Sequence, residues 1–250
     1  MSPMSFSKQV CLAMQEPDRP LVLAQEQHPQ TREQAYEMQL QVLEQLQQSP
    51  GGWKVGPTPT AGLAQGSVLP GSWLLPTGAQ VHLNAFNYLG LEMEIAFRFK
   101  QAFSARTVPY TFEEVEANLQ SMAATFELVT SRLEGWPSVP ALLQLADLLN
   151  HGRLIVGDFI AYDRAFDFQA PTATLTAGGR SVCPEKIGNP AGDPRLLLPW
   201  LVNHHTCNGL DFLPEWLVTT GSYTGLQALE SPAVYRGQFQ GLPPVELTLS

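Results

Sequence analysis

Residues 91–99 of this chain, LEMEIAFRF, alternate without a break. Leu91, Met93, Ile95, Phe97 and Phe99 fall on one side, and Glu92, Glu94, Ala96 and Arg98 on the other. Side chains of an extended strand point to opposite faces in turn, so the segment predicts a β-strand with one apolar face to bury. A second alternation, ATFELVT at 124–130, sets Phe126 and Leu128 against Thr125, Glu127 and Val129. Two same-face carboxylates on one strand stand about 6.5–7 Å apart, near enough for both to turn toward one ion. Alone, the E-x-E pattern is read more simply as the solvated face of an antiparallel strand, and Arg98 on the same side fits that reading.

The rest of the chain places these strands in an α+β context. TREQAYEMQLQVLEQLQQ (31–48) predicts a helix: Thr31 and Gln34 form a capping-box pattern, and Ala35, Met38, Val42 and Leu46 share a face. SPGG stops it, and a Gly/Pro/Thr-rich stretch to about Gly78 reads as loop and short strand. TFEEVEANL (111–119) opens with a second capping box, Thr111 with Glu114, and SVPALLQLADLLNHG (138–152) reads as an apolar helix. Beyond it, RLIVGDFI, TATLTA, EWLVTTGS and PVELTLS read as short strands, with one helical piece at PRLLLPWLVNHH. The expectation is one mainly β domain over 1–250, with an N-terminal helical region (1–50) and a β-rich catalytic region (51–250).

Composition narrows the function classes. The formal charge of −9 over 250 residues, with no basic run, argues against a nucleic-acid partner. No run approaches the ~18 apolar residues of a membrane span, and the N-terminus lacks a signal-peptide pattern, so no membrane partner is expected. Cys11, Cys183 and Cys207 are too few and too scattered for a disulfide framework, which fits a reducing cytoplasm.

Three further features can join Glu92 and Glu94. Glu127, turned away from Phe126 and Leu128, supplies a third carboxylate; oxygen-only ligation suits Mg²⁺ or Mn²⁺. In GGWKVG (51–56), Lys54 alternates with Trp53 and Val55 and can neutralise a carboxylate or move a proton. VTTGSYTG (218–225) turns sharply at Gly221, where hydroxyls and backbone N–H groups can hold an oxyanion. Arg132, after the Glu127 strand, can grip a substrate carboxylate in two-pronged fashion or serve a structural ion pair. Adjacent histidines in NHHTC (203–207) sit at a helix end and point apart, which disfavours a metal site there.

Taken in order, TREQAYEMQ, GGWKVG, LEMEIAF, TFELVTSRL, PWLVN and WLVTTGSYTG resemble the fumarylacetoacetate hydrolase superfamily. Within it the chain looks most like the 2-keto-4-pentenoate hydratase and 4-oxalocrotonate decarboxylase branch. That resemblance implies a β-roll, barrel-like fold and a homo-oligomeric lyase of aromatic catabolism. It implies a small 2-keto or 2-hydroxydienoic acid as substrate, chelated through its carboxylate and C2 oxygen. It assigns Glu92, Glu94 and Glu127 to Mg²⁺ or Mn²⁺, Lys54 to catalysis, and Thr220, Gly221 and Ser222 to the substrate side. On this reading the E-x-E glutamates point inward.

The chain also departs from the pattern. GPTP, with Pro57 and Pro59, follows the lysine where G-[LA]-T-[SN] is common. LAQGSVLP stands in place of an acidic and aromatic segment that often supplies a lid, and Leu148 in place of an asparagine. Two alternatives therefore stand beside the lyase. One is a catalytically impaired homologue acting as a structural or interaction subunit. The other is an acylpyruvate C–C hydrolase, for which the only early histidine is His28.

Overall fold

The computed structural model describes residues 4–58 and 63–250, so Pro59 lies outside the described residues. Two helices, α1 (Phe6–Gln15) and α2 (Arg32–Gln45), precede β1 (Pro50–Pro57), β2 (Ala64–Pro70), β3 (Leu74–Pro76), β4 (Ala79–Val81) and β5 (Gly90–Phe99). After α3 (Phe112–Ala117) come β6 (Leu119–Val129), α4 (Ala141–Ala146), β7 (His151–Val156), β8 (Ile160–Ala161), β9 (Ala173–Ala177) and β10 (Arg180–Ser181). Helix α5 (Leu198–Thr206) leads to β11 (Leu217–Thr219), β12 (Gln227–Ala228), β13 (Ala233–Phe239) and β14 (Val245–Leu249). No helix among the described residues is long and apolar enough to cross a membrane.

The larger sheet has the order β2-β1-β11-β5-β6-β7-β3, with β12 beside β5 and β8 beside β6. Its two end strands are consecutive in the chain, linked only by the turn Gly71–Trp73. Laid flat, they would be roughly 29 Å apart at about 4.8 Å per strand. A three-residue link at ~3.5 Å per residue cannot span that distance. The sheet therefore curls into a roll. Leu69 of β2, Ala96 of β5, Leu154 of β7 and Leu217 of β11 meet in one buried cluster inside it.

The second sheet, β10-β9-β13-β14-β4, covers the other face of this roll. The β5–β6 register pairs Met93 with Phe126 on that outer face, and Glu92 with Glu127 and Glu94 with Thr125 on the inner one. Contact between the sheets is closest at Gly237 of β13. A Cβ there would sit 2.6 Å from Phe126 Cε1 and 3.0 Å from Met93 Sδ.

Some local expectations hold and others need correction. The Thr111–Glu114 capping box forms. At α2, Thr31 accepts from the Gln34 backbone as expected, but the Gln34 side chain accepts from Gln30 N at 2.7 Å. The helix predicted over 138–152 is restricted to α4. Leu148, Leu149 and Asn150 then adopt left-handed backbone with φ of 51°, 50° and 60°, and β7 begins at His151. LAQGSVLP, within the stretch read as loop and short strand, contains the seven-residue β2, whose Ser67 lies opposite Lys54. Nearly every residue of that strand is buried, on both faces, so it carries no two-residue hydropathy alternation to reveal it.

Gly237→Val should destabilise the protein by about 1–3 kcal/mol through overpacking against Phe126. Urea denaturation should show a lower midpoint with an unchanged m-value.

Candidate metal centre and active site

The inner face of the roll gathers charge from three strands. Glu92 and Glu94 come from β5 and Glu127 from β6, and one carboxylate oxygen of each lies within 4.8 Å of the others. Glu94 and Glu127 are fully enclosed, while Glu92 is half-buried. From β1, Lys54 reaches across the roll to Glu127 Oε1 at 2.5 Å. The parallel β1–β11 pair sets Thr219 beside Lys54, and the Thr219 hydroxyl donates to Glu94 Oε2.

Two contacts fix the lysine and Glu127 further. The Leu149 carbonyl accepts from Lys54 Nζ at 3.1 Å. That carbonyl is presented by the left-handed turn at 148–150, a conformation that costs about 1–2 kcal/mol per non-glycine residue. His151 Nδ1 lies 2.9 Å from Glu127 Oε1. Burial pushes His151 down to about 4, so the ring is neutral near pH 7, and its Nδ1 hydrogen must face the carboxylate, which only accepts. Trp73 stacks on that ring with centroids 5.9 Å apart.

The charges are strongly interdependent. Burial, with Glu127 beside it, pushes Glu92 up to about 7. Burial, with Glu127 and Glu92, pushes Glu94 up to about 8. For Glu127 burial acts upward, yet Lys54 and His151 together hold it below the ordinary carboxylate range. For Lys54 burial acts downward, and the three glutamates outweigh it, so the ammonium is held firmly. Fully ionised, three carboxylates against one ammonium leave two negative charges inside the roll, which a single divalent cation would balance.

The residues fit such an ion. All donors are hard oxygens, the set preferred by Mg²⁺, Mn²⁺ or Ca²⁺. Among the described residues, Glu127 Oε2 is buried without a hydrogen-bond partner, as are the hydroxyls of Thr125, which pairs across from Glu94, and Ser222. Buried polar atoms are rarely left so unless something absent from the chain satisfies them.

Not every expected residue joins this site. Arg132 is spent structurally: its Nε donates to Asp147 Oδ1, Nη1 to the His151 carbonyl and Nη2 to the Asp147 carbonyl, each at 2.6 Å. It braces the turn behind His151, which corrects its candidacy for gripping substrate. Thr220 is buried and its hydroxyl donates to the Ile95 carbonyl at 3.0 Å, so the neighbouring Thr219 is the threonine that touches the triad. Gly221 has φ 89°, and Asn189 Nδ2 ties its carbonyl and that of Thr220 at 3.0 and 2.9 Å. His204 stacks on Trp200, and His205 meets Trp53 edge-on.

No protein-family model and no curated protein matches the sequence. Solved structures do match the fold. 4-Oxalocrotonate decarboxylase from Pseudomonas putida G7, complexed with magnesium and adipate, has a TM-score of 0.81 at 18% identity, over 100% of both chains. The same enzyme complexed with calcium and acetate gives 0.76 at 18% identity, again over 100% of both. The chain shares the fold of these solved structures, a roll of the fumarylacetoacetate hydrolase type. More distantly, 2-hydroxyhepta-2,4-diene-1,7-dioate isomerase from Mycobacterium marinum gives 0.57 at 13% identity, over 81% of this chain and 76% of that one. Such identities carry the fumarylacetoacetate hydrolase architecture and leave the activity to be argued from the site.

The raised carboxyls make a testable pH signature. Glu92 and Glu94 hold protons more tightly folded than unfolded, where glutamate titrates near about 4.3. Their contribution to stability is therefore fully present below that value and is lost as pH rises through about 7 and 8. Metal-free protein should melt at progressively lower temperature across that window, and added Mg²⁺ should restore more stability at the alkaline end. Glu94→Gln should flatten the metal-free profile and weaken the Mg²⁺ response. A pH-independent melting temperature in the metal-free protein would contradict this account.

Proposed function

We propose that this chain is a divalent-metal-dependent lyase of the fumarylacetoacetate hydrolase superfamily, acting on short 2-keto acids or their 2-hydroxydienoate tautomers by hydration or decarboxylation. The observation that carries the reading is the oxygen-only triad Glu92–Glu94–Glu127 with Lys54 bound into it on the inside of the roll. The decarboxylase neighbour complexed with magnesium and adipate supports it.

Glu92, Glu94 and Glu127 would hold Mg²⁺ or Mn²⁺, which when bound supplies a Lewis acid for the negative charge that builds on a keto acid's C2 oxygen. The remaining work falls to the chain. Thr219 fixes one oxygen of Glu94, and Lys54 and His151 fix one of Glu127, so each carboxylate keeps its other oxygen for the site. Lys54 brings a cation to the substrate carboxylate, and among the described residues two of its three N–H bonds are taken, by Glu127 and Leu149. Ser222 and Thr125 offer unpaired hydroxyls to a bound acid or its water.

The hydrolase alternative is weaker, since His28 contacts the Leu23 carbonyl at 3.4 Å and has no hydrogen bond to the triad among the described residues. The impaired-homologue alternative has to explain why three consecutive left-handed residues are kept where one of them serves Lys54. The same proposal includes a cytoplasmic homo-oligomer, which light scattering tests.

The experiment is thermal stability of metal-stripped protein with Mg²⁺ or Mn²⁺, then with oxalate, a planar stand-in for a chelating keto acid. Metal should stabilise, oxalate should add to it, and Glu94→Gln should abolish both. Lys54→Met should keep the metal response and lose about 10²-fold or more in kcat on the substrate found by screening for CO₂ release or diene consumption. Absence of any metal response would overturn the proposal.

A further inference from the structure

Arg153 of β7 lies opposite Leu128, on the face of the sheet away from Glu127, which pairs with Leu154. Its guanidinium carbon stands 4.6 Å from the Trp73 ring centre and 5.6 Å from that of Phe86. One nitrogen, Nη1, donates to the Gly152 carbonyl at 2.6 Å. Among the described residues no carboxylate lies within ion-pair distance of it, although the neighbouring Arg132 has Asp147. Its charged neighbour is thus another cation. Burial and Arg132 together lower Arg153 to about 10.

The group lines a cavity of about 60 Å³, with Thr130, Ser131, Asn87, Trp73 and Phe86 among its walls. About 10–15 Å³ of such space is enough for one water, so the cavity has room for a small organic group. A guanidinium presents five donors in a planar fork matched to a carboxylate, and enclosing it unpaired is costly. Arg132 and Asp147 cancel, which leaves the pocket with one positive charge, two aromatic walls and a largely unused fork. A tetrahedral dianion does not match that single charge.

We infer that this pocket is an accessory site for the carboxylate group of a small organic acid, received by the Arg153 fork between Trp73 and Phe86. It is separate from the metal centre and does not depend on the lyase reading. Trp73 is the shared wall: its ring stacks on His151, which holds Glu127, so an occupant lies two contacts from the triad.

The test uses full-length protein stripped of metal and dialysed free of chelator, so that coordination at the triad cannot contribute. Sodium acetate is titrated against sodium chloride at constant ionic strength, with phosphate in parallel. Tryptophan fluorescence and melting temperature are recorded. Acetate should give a saturable change and a higher melting temperature, with affinity about tenfold weaker or worse in Arg153→Gln, the equivalent of about 1.4 kcal/mol. Arg153→Lys, which keeps the charge but not the fork, should fall between. Trp73→Phe should keep the thermal response and lose the fluorescence one. No effect beyond chloride, an equal effect in folded Arg153→Gln, or a response to phosphate alone would each overturn the assignment. If Arg153→Gln does not fold, the wild-type comparison of acetate with chloride, together with Arg153→Lys, still decides it.

Discussion

The ion pair between Lys54 and Glu127 closes the inside of the roll, and the surrounding structure serves it. Two charged groups enclosed together need good geometry and further hydrogen bonds to offset their lost hydration. Here the surplus is negative, because Glu92 and Glu94 share the space. The chain answers with the Leu149 carbonyl on the lysine, the His151 ring on Glu127 and the Thr219 hydroxyl on Glu94. What it does not supply is a second positive charge. Burial and that deficit together raise the carboxyls, and the deficit matches a divalent ion.

The topology exists to make that meeting possible. Lys54 and Glu127 stand on strands separated by β11 and β5, so on a flat sheet they could not touch. Curling brings them face to face, and the short link between β2 and β3 enforces the curl. The second sheet then has to cover the outer face, and it does so closely enough that Gly237 has no room for a side chain.

The strand carrying E-x-E, its alternation and its partner at 124–130 were legible in the sequence, because each has one wholly apolar face. Which way the glutamates point was not legible from that segment. Arg98, on the same face, is exposed and lies over Phe159, so a single strand face passes from interior at Glu94 to surface within four residues. Only the curl decides this, and it depends on a strand with no alternation of its own. The turn at 219–222 shows a parity error: Thr219 faces inward with Lys54, and its neighbour Thr220 bonds the β5 backbone instead. Arg132 follows Glu127 in the chain, but nearness along a chain does not fix what a guanidinium finds first, which here is Asp147. His151 was hidden inside a stretch that reads as helix, because Leu148 and Leu149 carry no mark of left-handed backbone.

That left-handed turn has a consequence for how the site is mapped. Leu149 serves Lys54 through its main-chain oxygen, and any amino acid that tolerates the turn supplies the same atom. Truncating its side chain leaves the contact in place, so alanine scanning would score the position as silent. Sequence drift can likewise rewrite the residue while the contact persists. Only a change to the backbone itself, such as replacing the amide with an ester to weaken that carbonyl as an acceptor, would reveal it.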